Sequence, residues 1–95
     1  MTNEDQELRG RVARSERARA IIEDPLLTGA FEALDARFLL AWRQSPAGAS
    51  DVRERIWHHL QALAEVKAEL ESVLQDGTLA RHQLAELAEP NTDQP

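Results

Sequence analysis

Apolar residues recur by fours and threes along two stretches of this chain. Leu27, Phe31, Leu34, Phe38 and Ala41 mark the first, and Ile56, Leu60, Leu63, Leu70 and Leu74 the second. Such spacing lines one face of an α-helix and asks for a partner helix. Between them, Ser45-Pro46-Ala47-Gly48-Ala49 is a breaker-rich loop of the length that sets neighbouring helices antiparallel. The pattern predicts an all-α fold built on a central antiparallel helical hairpin, coiled-coil-like, with a helix on either side.

The flanking elements are weaker. Asn3, followed by Glu4, Asp5 and Gln6, supplies a cap, early acids and a capping-box glutamine for a first helix running to about Glu23. Its apolar stripe is thin, Leu8 and Val12 leading to Ser15, so packing is expected to hold little beyond its C-terminal half. Asp24-Pro25 ends it and opens the second helix, with Asp24 as cap and Pro25 at the first helical position. Ser50 is expected to cap the third helix, with Asp51 where the helix dipole favours an acid. Asp76-Gly77 is a stop signal, Gly77 being free to take the left-handed conformation, and a short fourth helix should follow. The expected organisation is therefore an arginine-rich helix over residues 1–23, a hairpin oligomerisation core over 24–77, a short C-terminal helix over 78–89 and a disordered tail over 90–95. Lys67 stands at a seam position between Leu60 and Leu74. Either Val66 and Val73 turn the stripe while the lysine stem lies alongside, or a polar group in the seam fixes register or oligomer state.

At 95 residues with polar ends, the packable part is small. A chain of that size buries only about 60% of its unfolded surface, so self-association is an expected source of stability and a homo-oligomer is the expected state. The core and the oligomerisation surface together then comprise Leu27, Phe31, Leu34, Phe38, Trp42, Ile56, Trp57, Leu60, Leu63, Leu70 and Leu74. There is no cysteine, which excludes disulfides and thiolate metal sites and permits a reducing compartment. The acidic start is unlike a signal peptide, and no apolar run approaches the roughly 18 residues of a membrane span. The expected location is the cytoplasm, with no membrane contact.

A net charge of −6 argues against general affinity for nucleic acid, which depends on neutralising phosphates. The charge is uneven, however: Arg9, Arg11, Arg14, Arg17 and Arg19 face one acid, Glu16, within an eleven-residue stretch. On a helix these arginines sit near 0°, 200°, 140°, 80° and 280° at about 100° per residue, surrounding the axis, with Arg11, Arg14 and Arg17 forming one broad face. A solvated helix paired to nearby acids is one reading; electrostatic, sequence-tolerant contact with DNA is the other.

No constellation suggests catalysis, and neither cofactor nor metal is expected. Ser45, Ser50 and Ser72 occupy loop, cap and surface positions, and no serine sits with a base and an orienting group. His58 and His59 point about 100° apart on a helix, so with His82 and Glu54 or Glu65 they form a metal site only on paper. Trp42 and Trp57 flank the interhelical loop at mirrored distances, either packing together to pin the hairpin end or anchoring a contact between subunits.

Asp24-Pro25-Leu26-Leu27, Phe31-Glu32-Ala33-Leu34, Ala41-Trp42-Arg43, Arg53-Glu54-Arg55-Ile56-Trp57, Ala62-Leu63 and Gly77-Thr78-Leu79-Ala80 appear in this order. The pattern, across about residues 20 to 85, resembles short proteins of tailed phages, prophages and gene transfer agents, among them the compact small terminase subunits. That resemblance implies a non-enzymatic DNA-packaging adaptor in a bacterial host, multimeric through a helical core, holding double-stranded DNA and engaging a large terminase subunit. It assigns the arginine block to DNA and the helix face of Ala80, Leu84 and Leu87 to docking the motor. The chain departs from the pattern in lacking a separate helix-turn-helix module, which leaves sequence-tolerant DNA contact as what is implied. Two other roles stay open: a head-completion or scaffolding component without DNA contact, and a regulatory adaptor binding a host protein through the same Ala80, Leu84, Leu87 face.

Overall fold

The computed structural model describes residues 2–88, and these are all-helical, with no strand among them. Three helices follow one another: α1 (Asn3–Ile22), α2 (Pro25–Gln44) and α3 (Ser50–Ala88). The tail expected over 90–95, like residue 89, lies outside the described residues.

The helix ends follow local chemistry. Thr2, not Asn3, caps α1: its Oγ1 accepts the Asp5 N–H at 3.1 Å, and Asn3 is already helical. Asp24 caps α2 as expected, its Oδ1 accepting the Leu26 N–H at 2.8 Å with Pro25 at the first helical position. Ser45 closes the other end, donating from both its N–H (3.2 Å) and its hydroxyl (2.6 Å) to the Trp42 carbonyl. Ser50 is the first residue of α3 instead of its cap, one position inside the expected boundary.

The expected stop at Asp76-Gly77 does not occur. α3 runs unbroken through Gly77 to Ala88, no glycine has a positive φ, and the separate helix over 78–89 is absent as an element of its own. The physical reason lies in the packing of Gly77. A Cβ there would collide with the Oγ and Cβ of Ser15 and lie 3.6 Å from the Ser15 Cα. The glycine is present because α1 passes where a side chain would stand, a contact worth more than the roughly 1 kcal/mol of helix propensity a glycine forfeits.

The described residues divide into two compact units, 2–20 with 70–88 and 21–69. This redraws the expected 24–77 core, because Leu70 and Leu74 group with α1. In the first unit Leu8, Ser15 and Ala18 of α1 are buried, as are Gly77 and Ala80 of α3. α1 is therefore packed along both halves, with Leu8 only 3% exposed, and the expectation that its first half lacks tertiary support is corrected. Beyond Leu8, its buried face is made of the small residues Ser15 and Ala18. Ser15 donates its hydroxyl to the Val12 carbonyl at 2.7 Å, which satisfies it within its own helix.

In the second unit the ring of Phe38 stacks on His59 with centroids 5.2 Å apart. Lys67 Nζ lies 3.1 Å from Asp35 Oδ2 and 5.2 Å from the centre of the Phe31 ring. Lys67 thus meets an acid and an aromatic face at the seam position, while Val66 stays exposed. Ile56 is buried; Leu27, Phe31, Leu34, Phe38, Leu60 and Leu63 are half-buried.

Candidate functional site

The arginine block is divided by its partners. Arg11 forms a fork on Asp76, Nε donating to Oδ2 at 2.9 Å and Nη2 lying 2.8 Å from Oδ1, and its side chain is only 19% exposed. The hydrogen bond and charge of Asp76 hold the guanidinium pKa above its ordinary value, opposed by partial desolvation. Arg11 therefore joins α1 to α3, and it does not belong to the free Arg11, Arg14, Arg17 face anticipated from angles alone. Glu16 meets Arg81 at 3.3 Å, a second ion pair within the same unit. Arg19 is also engaged. Arg9, Arg14 and Arg17 remain exposed, without a hydrogen-bond or ion-pair partner among the described residues.

These three occupy an arc of about 140° on the side of α1 turned away from Leu8, Ser15 and Ala18. Gln6, Gly10, Ala13 and Ala20 fall in the same arc, which Glu7 borders beside Arg14 and Glu16 beside Arg9. Gln6, Glu7, Gly10, Arg11, Arg14 and Arg17 line an open depression of about 370 Å³. Such a face can lie against phosphates, and its small residues let a backbone come close.

The second surface is apolar. α2 has no buried residue at all, although leucine, phenylalanine and alanine dominate its composition. Leu26 is 83% exposed, Leu40 52%, Trp57 48% and Trp42 38%. The two indoles do not form a ring pair; Trp57 instead meets the edge of neighbouring His58 at 5.2 Å. Of the two alternatives for these indoles, no ring contact supports mutual packing, and both stay partly exposed. Ile21, Asp24, Leu26, Leu27 and Ala30 enclose an open notch of about 310 Å³.

Sequence reasoning missed Arg53. Its guanidinium donates to the carbonyls of Pro46 (2.6 Å) and Ala47 (3.0 Å) and to Ser45 Oγ (3.3 Å), tying down the α2–α3 loop. An arginine in the first turn of the helix that follows a loop containing proline and glycine is the signal that points to it. The face of Ala80, Leu84 and Leu87 is likewise not as anticipated: Ala80 is fully buried, Leu84 half-buried and Leu87 exposed, so Ala80 cannot contribute to docking.

The remaining candidates are dispersed. Ser45 is occupied by the loop, Ser72 is exposed, His58 Nε2 lies 3.9 Å from Glu54 Oε1 in an open pair, and His59 stacks on Phe38. No group of three His, Asp or Glu residues close enough to hold a metal ion occurs among the described residues. None of their helices is long and apolar enough to cross a membrane. Neither protein-family models nor curated proteins nor solved structures give a match to this chain.

Proposed function

We propose that this protein is a non-enzymatic assembly adaptor of the small-terminase kind. Copies multimerise through the apolar flanks of an antiparallel hairpin formed by α2 and the first part of α3. The arginine faces of the multimer hold duplex DNA by its phosphates without reading sequence, while a large terminase subunit engages the assembly in the bacterial cytoplasm. One observation carries the self-assembly: a twenty-residue helix rich in leucine and phenylalanine fully buries none of its residues, and Leu26, Leu39, Leu40 and Trp42 stay exposed. Contiguous exposed apolar surface on a small domain marks an interaction site. The DNA contact draws support from Arg9, Arg14 and Arg17, exposed on one side of α1. Arraying several copies would sum a modest charge per chain into a stronger local field.

Solution mass by sedimentation at high micromolar concentration tests the first part, with a folded monomer refuting it. Retention of duplex DNA at low salt tests the second. Retention should weaken steeply as salt rises and vanish when Arg9, Arg14 and Arg17 become alanine. A multimer that ignores DNA at low salt would leave the second reading, a virion-assembly component without DNA contact. That reading is favoured by the Arg11–Asp76 and Arg81–Glu16 pairs, which divert cationic charge into the fold.

A further inference from the structure

The notch at the start of α2 is lined by four apolar residues and one carboxylate, Asp24. Asp24 uses Oδ1 to cap α2, and its Oδ2 has no partner among the described residues. Leu26 at the rim is 83% exposed and Ile21 46%. Within the same unit, Trp57 presents a half-exposed indole whose N–H has no acceptor among the described residues. The chain cannot fill its own notch with this ring. His59, two residues from Trp57, stacks on Phe38, about 18 Å along α2 from Leu26 at 1.5 Å per residue.

The two places are also unlike in charge. Residues 21–32 contain Glu23, Asp24 and Glu32 and no lysine or arginine, whereas residues 42–58 contain Arg43, Arg53 and Arg55 against Asp51 and Glu54. A like pairing of either place with itself would oppose like charges at the acidic end; a cross pairing between copies brings opposite ones together.

Resting on the multimer proposed above, we infer that the Trp57 indole of a second copy of this chain seats in the Ile21, Leu26, Leu27, Ala30 notch, with its Nε1–H donating to Asp24 Oδ2. A tryptophan buries about 150–250 Å² when covered, and a ring in an apolar recess with its one donor satisfied is the usual anatomy of an interface anchor. About 310 Å³ of notch lies at the lower end of the size of sites that enclose small organic groups.

The experiment compares wild type with Trp57→Ala and Leu26→Asp by sedimentation, each alone and then mixed in equal amounts. Each variant alone should need about 30-fold more protein to associate. The mixture should recover association, because Trp57→Ala keeps an intact notch and Leu26→Asp keeps an intact indole. Both positions are exposed, so far-UV circular dichroism should match wild type. Trp42→Phe leaves Trp57 as the sole fluorophore, and its emission should move to the blue and resist iodide as concentration rises. Adding Leu26→Asp should abolish both changes. A wild-type monomer would overturn the multimer and this contact together. A wild-type multimer in which both variants associate normally, or whose mixture recovers nothing, or whose Trp57 emission ignores assembly, would overturn this contact alone.

Discussion

Replacing Gly77 with alanine sets two opposed effects against each other, and the sign of the result decides how α3 is built. On helix propensity alone the change stabilises by about 1 kcal/mol, since glycine is that much worse than alanine inside a helix. The packing opposes it. The new methyl would overlap both Oγ and Cβ of Ser15. The hydroxyl can rotate away, but the Cβ is fixed to the backbone, so α1 must move outward and loosen Leu8, Ala18 and Ala80. Overpacking of a closed contact costs about 1–3 kcal/mol, and a collision involving a Cβ belongs at the upper end. The net expectation is about 2 kcal/mol of destabilisation, a fall in Tm on the order of 10 °C for a chain of this length. Thermal unfolding followed by circular dichroism, at one fixed protein concentration because assembly would shift Tm, measures it. Ser15→Gly in the Gly77→Ala background removes the obstructing atoms and should recover part of the loss. If Gly77→Ala raises Tm instead, α1 does not cross α3 at this point.

Other outcomes follow from the same contacts. Arg11→Asp should lower Tm by placing two acids together, and adding Asp76→Arg should restore most of the loss; a double variant no better than the single would remove the fork as a link between α1 and α3. Arg53→Ala frees the carbonyls of Pro46 and Ala47, so limited proteolysis should cut within residues 45–49 several-fold faster than in wild type, with unchanged rates counting against the tether. If DNA is held, single alanine substitutions at Arg9, Arg14 or Arg17 should each reduce the magnitude of the salt dependence by about 0.9 in log–log slope. Arg11→Ala should leave that slope alone, and a slope that falls equally for Arg11 would contradict its being spent on Asp76.

The parts of this molecule legible from residues are those decided within a turn or two of chain. Pro25 after Asp24 fixes one boundary because proline restricts the residue before it and lacks an N–H, and both facts are local. Pro46 and Gly48 mark the α2–α3 loop in the same way. Gly77 was not legible, because a helix-ending glycine and a helix-crossing glycine look the same from their neighbours. What distinguishes them is Ser15, on another helix. The fate of Arg11 has the same character: its partner Asp76 is 65 residues away, and angular position around α1 cannot reveal it. Ser15 reads as a weak point in a thin stripe and Ala18 is not picked out, because periodicity is usually sought in large apolar residues, whereas two helices that come close are lined by small ones.

The two units therefore use their apolar material differently. In the first, small side chains, a glycine and an arginine–carboxylate fork close one helix on another, leaving its exposed side to arginines. In the second, the large side chains of leucine, phenylalanine and tryptophan stay half-covered or open, held beside a loop that Arg53 fixes in place. Fixing the loop lowers the conformational entropy lost when a partner arrives, which strengthens binding without adding contact area. Large exposed apolar residues on an anchored scaffold are costly in an isolated chain and useful in an assembling one. The division of labour between a closed unit that carries an arginine-rich helix face and an open, apolar one is the physical reason for reading this chain as an adaptor.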